Sequence, residues 1–226
     1  KRLNTKRLIV TLLIILIIAA ATLYLISKGI PIKQESSDQY NTYTYSGPGG
    51  DYIFTIVPNP EGSGARHVIE VNAGDVVYSY PLRYGPKELE NIPISGDVKE
   101  KLLFNGQTQK NTIYITQDPE LPDKTDAFSA IAVIDINQVT GPASYGAFKI
   151  PTITAVTYET NGSIKNNLPV ITCKDSTSKV GVIEIRLGVE NKITQDENGC
   201  VILEGIDGQG ILRVADKLIL NMLGVF

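Results

Sequence analysis

Two cysteines, one histidine, a short acidic run and a glycine-rich approach to a C-terminal helix are the parts of this sequence that could do chemistry. Cys173 follows VIT and Cys200 precedes VILEG, so both stand at the ends of expected strands. In an oxidising compartment such a pair forms a disulfide. It would close a loop of about 27 residues, worth about 3 kcal/mol by loop entropy. Two separate buried thiols are the alternative. Zinc is disfavoured, because His67 is far away in sequence and two thiolates alone make a poor tetrahedral site.

His67 could serve acid–base chemistry at neutral pH. It lies between Arg66 and VIEV at the start of a strand, with no G-x-S-x-G elbow or comparable partner motif. A surface or satisfied histidine is therefore expected. The run ITQDPELPDKTD carries Asp118, Glu120, Asp123 and Asp126. Carboxylates so placed can bind calcium or serve glycoside hydrolysis, but two prolines and the absence of EF-hand spacing make this an acidic loop. GIDGQG at 205–210 resembles an anion-binding approach to a helix. Asp207 would repel an anion and the Walker lysine is missing, so Asp207 is assigned as a helix cap. Asn161-Gly162-Ser163 is an N-glycosylation sequon in an expected turn. No catalytic, cofactor or metal residue is assigned.

These residues must be positioned by a domain whose location follows from the N-terminus. From Leu8 to Ile26 there are nineteen residues without a charge, close to the roughly twenty that cross a bilayer as a helix. Lys1, Arg2, Lys6 and Arg7 precede the run, and only Lys28 and Lys33 follow closely. The positive-inside bias puts residues 1–7 in the cytoplasm as a basic tip, residues 8–27 in the membrane, and the rest outside. A cleaved signal is the alternative, with Ala19, Ala20 and Ala21 as a site, although the run exceeds a usual h-region. Beyond residue 28, 16 Lys and Arg face 24 Asp and Glu. That acidic balance argues against nucleic acid as a partner.

Residues 28–50 are polar and rich in turn formers and read as a stalk, with the domain over residues 51–226. DYIFTIVP, HVIEVNAG and DVVYSYPL read as consecutive strands and make the first half β-rich. After a possible subdivision near 96–110, a short helix at VKEKLLF and a strand at 111–116 are expected. A helix from Thr125 to Val139 follows, with Ala127, Ile131, Ile134 and Val139 inward. Strands are expected at KIPTITAVTYE, LPVITC and GVIEIRLG, then at NKITQ and CVILEG about an Asp196–Gly199 turn. The last helix has an apolar face of Ile211, Leu212, Ala215, Leu218, Ile219, Met222 and Leu223. Its other face is Arg213, Asp216, Lys217 and Asn221, and Gly224 is its stop. The fold class is α+β (mixed α/β): a mixed sheet packed by a helix near 125–140 and by the C-terminal amphipathic helix.

The closing stretch, VITCKDST, VIEIRLG and NGCVILEGIDGQGILRVADKLILNMLGVF, resembles the C-terminal part of membrane-anchored archaeal surface proteins. It is similar to the C-terminal domains of surface-layer (S-layer) proteins, through the Cys-bearing strand, the VILEGID segment at 201–207, where Val201 stands at the place of the Ile in I-x-x-x-G-x-D, and the Ala215-Asp216 pair. The resemblance covers about the last sixty residues and implies a cell-envelope role without a catalytic residue. The chain is short and its anchor is N-terminal, which favours an accessory component over a lattice subunit. The expected function is a non-enzymatic, single-pass envelope protein that binds other envelope proteins or assembles with itself. The alternatives are a subunit of a pilus-like or secretion filament, and an extracytoplasmic hydrolase or carbohydrate-binding module using the Asp118–Asp126 loop.

Overall fold

A computed structural model of the chain describes residues 41–59, 64–142 and 146–226. The expected membrane helix and most of the expected stalk lie outside them. Among the described residues no helix is long and apolar enough to cross a membrane.

The first half is an antiparallel meander of β1 (Asn41–Gly47), β2 (Gly50–Pro58), β3 (Ala65–Ala73) and β4 (Val76–Leu82), paired in sequence order. The register places Tyr43, Phe54, Ile69 and Tyr80 in one row across one face. Thr44, Ile53, Glu70 and Ser79 form a row on the other. The first face is packed, with Phe54 and Ile69 almost fully buried, while Ile53 stays 65% exposed. β1 corrects the sequence reading, which assigned it to the stalk. TYTYS alternates as a half-buried strand does, and Pro48-Gly49 turns the chain between the paired Gly47 and Gly50.

The second half opens with α1 (Pro86–Leu89), α2 (Val98–Leu103) and a small hairpin of β5 (Phe104–Asn105) and β6 (Thr108–Gln109). There follow β7 (Thr112–Gln117), α3 (Asp123–Thr140), β8 (Thr152–Val156), α4 (Asn161–Lys165) and a 3-10 turn at Cys173–Asp175. β9 (Val180–Leu187), β10 (Lys192–Gln195), β11 (Val201–Gly205) and α5 (Gly208–Met222) complete the chain. The sheet order is β10-β11-β9-β7-β8, parallel except for β10, which forms the expected hairpin with β11. From β7 the chain crosses through α3 to β8, then returns past β7 to β9, so the winding changes direction between β7 and β9.

In this half the expected strand LPVITC and the expected inward face of α3 are not found. LPVITC is not a strand: only Val170 bridges to Val156, and Pro169 interrupts any longer ladder. In α3, Val139 is buried and Ile131 half-buried, but Ala127 and Ile134 face solvent. The same face of α3 touches α5, so its buried stripe is set by that neighbour.

The C-terminal helix is the centre of the packing. Asp207 caps it by accepting the Gly210 N–H at 2.7 Å, and Gly224 follows it at φ 90°. Gly208 lets the helix start against Phe128, whose ring lies 2.1 Å from where a Cβ would stand. Helix α5 packs on β11 and α3 on one side. On its other side Asp216 reaches the end of β4, and Lys217 lies under Phe226, which in turn meets Tyr45 of β1. Asp216 and Lys217, expected on the solvent face, are therefore 1% and 4% exposed. Coverage on that second side leaves Asp216 and Lys217 no solvent to face. Each fully buried Ile or Leu in the helix contributes about 1.5–3 kcal/mol. One apolar cluster runs from Phe54 in the meander through Ile183 to Val225, so both halves share a core.

Candidate functional site

A set of convergent polar side chains lies where the meander meets α1, α3 and α5. A cleft of about 500 Å³ there is walled by Arg66, His67, Arg83, Tyr84, Glu88 and Gln209 above an apolar floor of Phe128, Ile131 and Leu212. It continues along α3 into a cleft of about 410 Å³ that shares Arg66, Arg83 and Ile131. Strand register delivers these groups: His67 pairs with Leu82, which places the start of β3 beside Arg83 and Tyr84.

The ionisable groups are heavily tied. Asp216 accepts the backbone N–H groups of Arg83 and Tyr84, both at 2.9 Å through Oδ2. Arg83 reaches outward to Asp135 as an ion pair. Burial pushes the Asp216 carboxyl up to about 7. The Tyr84 N–H acts against that rise and the nearby Asp135 charge adds to it. Tyr84 donates its hydroxyl to Gln209, and the Arg213 guanidinium sits 4.1 Å above its ring.

His67 occupies one wall. Glu88 can only accept, so His67 Nε2 carries the proton toward it at 3.4 Å, while Nδ1 accepts from Tyr43 Oη at 2.9 Å. Burial lowers the His67 pKa and the Glu88 charge opposes that, which leaves the ring neutral at pH 7. Glu88 also accepts the Gly85 N–H at 2.8 Å. His67 is thus a satisfied histidine bonded within the sheet. The cleft can offer guanidinium N–H groups and aromatic faces to a ligand. Its carboxylates and imidazole are already engaged in holding the elements together.

The other sequence-derived residues lie elsewhere. Cys173 and Cys200 are bridged, with Cα atoms 5.2 Å apart. Cys173 opens the 3-10 turn and does not end a strand, so the bridge pins that turn to the start of β11. Glu184 Oε2 lies 3.3 Å from the Cys173 sulfur. A bridged sulfur has no proton, so this is a contact and not a hydrogen bond. Asp118 and Glu120 follow β7 and both accept from the exposed Tyr158 hydroxyl, at 2.8 and 3.0 Å. Those bonds to two carboxylates raise the Tyr158 pKa. This pair sits outside the carboxyl ends of the parallel strands, near the change in winding, and does not line the clefts described. Asp126 instead accepts from Gln117 Nε2 at 2.9 Å. Among the described residues no three of His, Cys, Asp and Glu gather as metal ligands would.

Asn161 is exposed in the first turn of α4, where a plain turn was expected. The sequon hydroxyl is occupied: Ser163 Oγ accepts the Thr160 N–H at 2.7 Å, and Thr160 Oγ1 accepts the Ser163 N–H at 3.1 Å. Arg66, Arg83, Tyr84 and Asp135 were missed by sequence reasoning because no local spacing joins residues that only strand register assembles. Asp216 had one signal, its place in the Ala-Asp pair. No protein family, curated protein or solved structure matches the chain.

Proposed function

We propose that this chain is a single-pass, membrane-anchored cell-envelope protein whose α+β domain is non-enzymatic and binds other surface proteins or assembles with itself. The observation that carries this reading is the Cys173–Cys200 bridge, in the same chain as the uncharged run from Leu8 to Ile26 and its basic flank. A structural disulfide persists in an oxidising compartment, and the basic flank orients the run so that the domain faces one. The archaeal surface-protein resemblance agrees with that location. The cleft supports a binding role over a catalytic one, because its carboxylates and imidazole are spent on Arg83, Tyr84, Tyr43 and Gly85.

The test is the intact mass of the protein from its own membranes, with and without reductant and deglycosylation, beside digestion of sealed vesicles by external protease. Expected are an uncleaved N-terminus, a two-proton mass gain on reduction, a glycan at Asn161, and a domain open to protease. A cleaved N-terminus with free thiols and a protected domain would remove the reading.

A further inference from the structure

The two larger sheets have four edges, and among the described residues three of them are capped or blunted at one position each. The outer side of β10 is taken by residues 93–95: Ile193 N–H donates to Pro93 and Ser95 N–H donates to Ile193, both at 3.0 Å. On β8 the outward groups of its last residue are taken by residues 169–171, through Val156 N–H to Pro169 at 3.0 Å and Ile171 N–H to Val156 at 2.9 Å. On β4, the two-residue Gly74-Asp75 turn makes Ala73 and Val76 a hydrogen-bonded pair, so Val77, Ser79 and Pro81 turn their backbone groups away from β3. Pro81 has no N–H to offer there, which blunts that edge.

β1 is different. By the same geometry Gly47 and Gly50 form a hydrogen-bonded pair, and Thr42, Thr44 and Ser46 point their N–H and C=O groups away from β2. Among the described residues no backbone group bonds to that side. The strand NTYTYSG contains no charge and no proline, the usual devices that discourage strand addition.

We propose that β1 is an assembly edge and that its occupant is β1 of a second copy, antiparallel about a two-fold axis at Thr44. The outward groups are symmetric about that residue: Thr44 faces Thr44 of the second copy, and Thr42 faces its Ser46. Each of these facing pairs exchanges two backbone hydrogen bonds. On the packed face, Tyr43 of each copy comes opposite Tyr45 of the other, an aromatic cross-strand pair. An uncharged strand meets itself without repulsion, and the contact is isologous and closes. A single strand pair is a small interface. The assignment rests on the anchored reading above, in which the bilayer confines the copies and raises their effective concentration. Fourteen residues separate Ile26 from the start of β1 in every copy.

The test uses the full chain in its membranes with Thr44→Cys, mild oxidation and a non-reducing gel. Hydrogen-bonded antiparallel pairs hold their Cα atoms about 5.5 Å apart, within disulfide reach. Expected is a covalent dimer at least tenfold more abundant than for Val77→Cys on the blunted β4 edge. Monomer throughout, or equal dimer for both variants, overturns the pairing. Thr44→Pro should abolish dimers trapped by a chemical crosslinker while leaving thermal unfolding unchanged, since β4 already carries Pro81 at an equivalent outward position. Persistent dimers in that variant overturn it too. External protease and intact mass on the same vesicles separate the two claims. An accessible, bridged domain whose Thr44→Cys chain stays monomeric sinks only the β1 pairing. A protected domain with free Cys173 and Cys200 sinks the envelope reading, and this assignment with it.

Discussion

The five-stranded sheet and the meander use strands of similar length, yet they end differently. The five-stranded sheet is capped at both edges by its own chain: loop segments bond at Ile193 of β10 and at Val156 of β8, and a ladder of Glu184, Arg186, Glu204, Lys192 and Glu190 covers one end of its open face. Burial works against ionisation of Glu204, but hydrogen bonds from Lys192 and Arg186 outweigh it and hold the carboxyl below its usual range. The meander shows Thr42, Thr44, Thr55 and Ser79 on its open face, and among the described residues no strand or loop bonds to the outer side of β1. Its packed face shares the common core through Phe54, Ile69 and Tyr80, and its polar ties to the rest are Asp216 and the C-terminal residues that meet Tyr45 and Tyr52. One sheet is finished by its own chain. The other is held from beneath and presents an edge.

That contrast breaks first at Asp216. Asp216→Ala strands two N–H groups at the end of β4 and should cost about 4 kcal/mol, since each buried donor left unsatisfied costs about 1–3 kcal/mol. Hydrogen exchange should show β3 and β4 opening well before β9 and β11; equal loss in both sheets would mean that they do not open separately. Replacing both bridged cysteines by Ala should cost about 3–4 kcal/mol through loop entropy. There the order of opening should reverse, with the strands around the 3-10 turn and β11 losing protection first.

Acidity sharpens the comparison further. The Asp216 pKa, raised to about 7, lies above the ordinary value of 3.8. The folded state therefore holds a proton that the unfolded chain releases between those values. The stabilisation is complete below about pH 4 and is lost as pH rises through 7. Compared with Asp216→Asn, the natural protein should gain about 2–3 kcal/mol between pH 8 and pH 5 in urea unfolding. The shift at His67 is common to both proteins and cancels in the difference. A constant difference across that range would mean that Asp216 ionises normally in the fold.

How much of this was legible follows from the range of each signal. β2, β3, β4 and the β10–β11 hairpin carry apolar alternation and turn residues within a few positions, and they stand where the sequence places them. The cysteine pairing was legible from count and compartment alone. β1 was hidden because threonine alternating with tyrosine is polar enough to pass for a stalk. Asp216 and Lys217 were misplaced because helical periodicity describes one covering surface, and α5 has two. The cleft was illegible, since Arg66, Arg83, Asp135 and Gln209 meet only through long-range register.

The smallest expected effect is also the most direct test of the edge argument. Pro81→Thr restores an N–H on the outward side of β4 and should change stability by less than about 1 kcal/mol, because Pro81 is exposed and its position makes no bond to β3. Its consequence is in assembly. With β1 paired about a two-fold axis, a second open edge lets dimers join end to end, and such contacts do not close. Light scattering of the purified full chain in detergent should then grow with concentration for Pro81→Thr and stay flat for the natural protein. Adding Thr44→Pro to the same chain should stop growth at the dimer. If Pro81→Thr scatters no more than the natural protein, the helix α3 residues Ile134, Asn137 and Gln138 beside Ser79, Tyr80 and Pro81 already close that edge. The missing N–H would then be redundant there, and among the described residues β1 would differ from the other three edges in having no element bonded beside it.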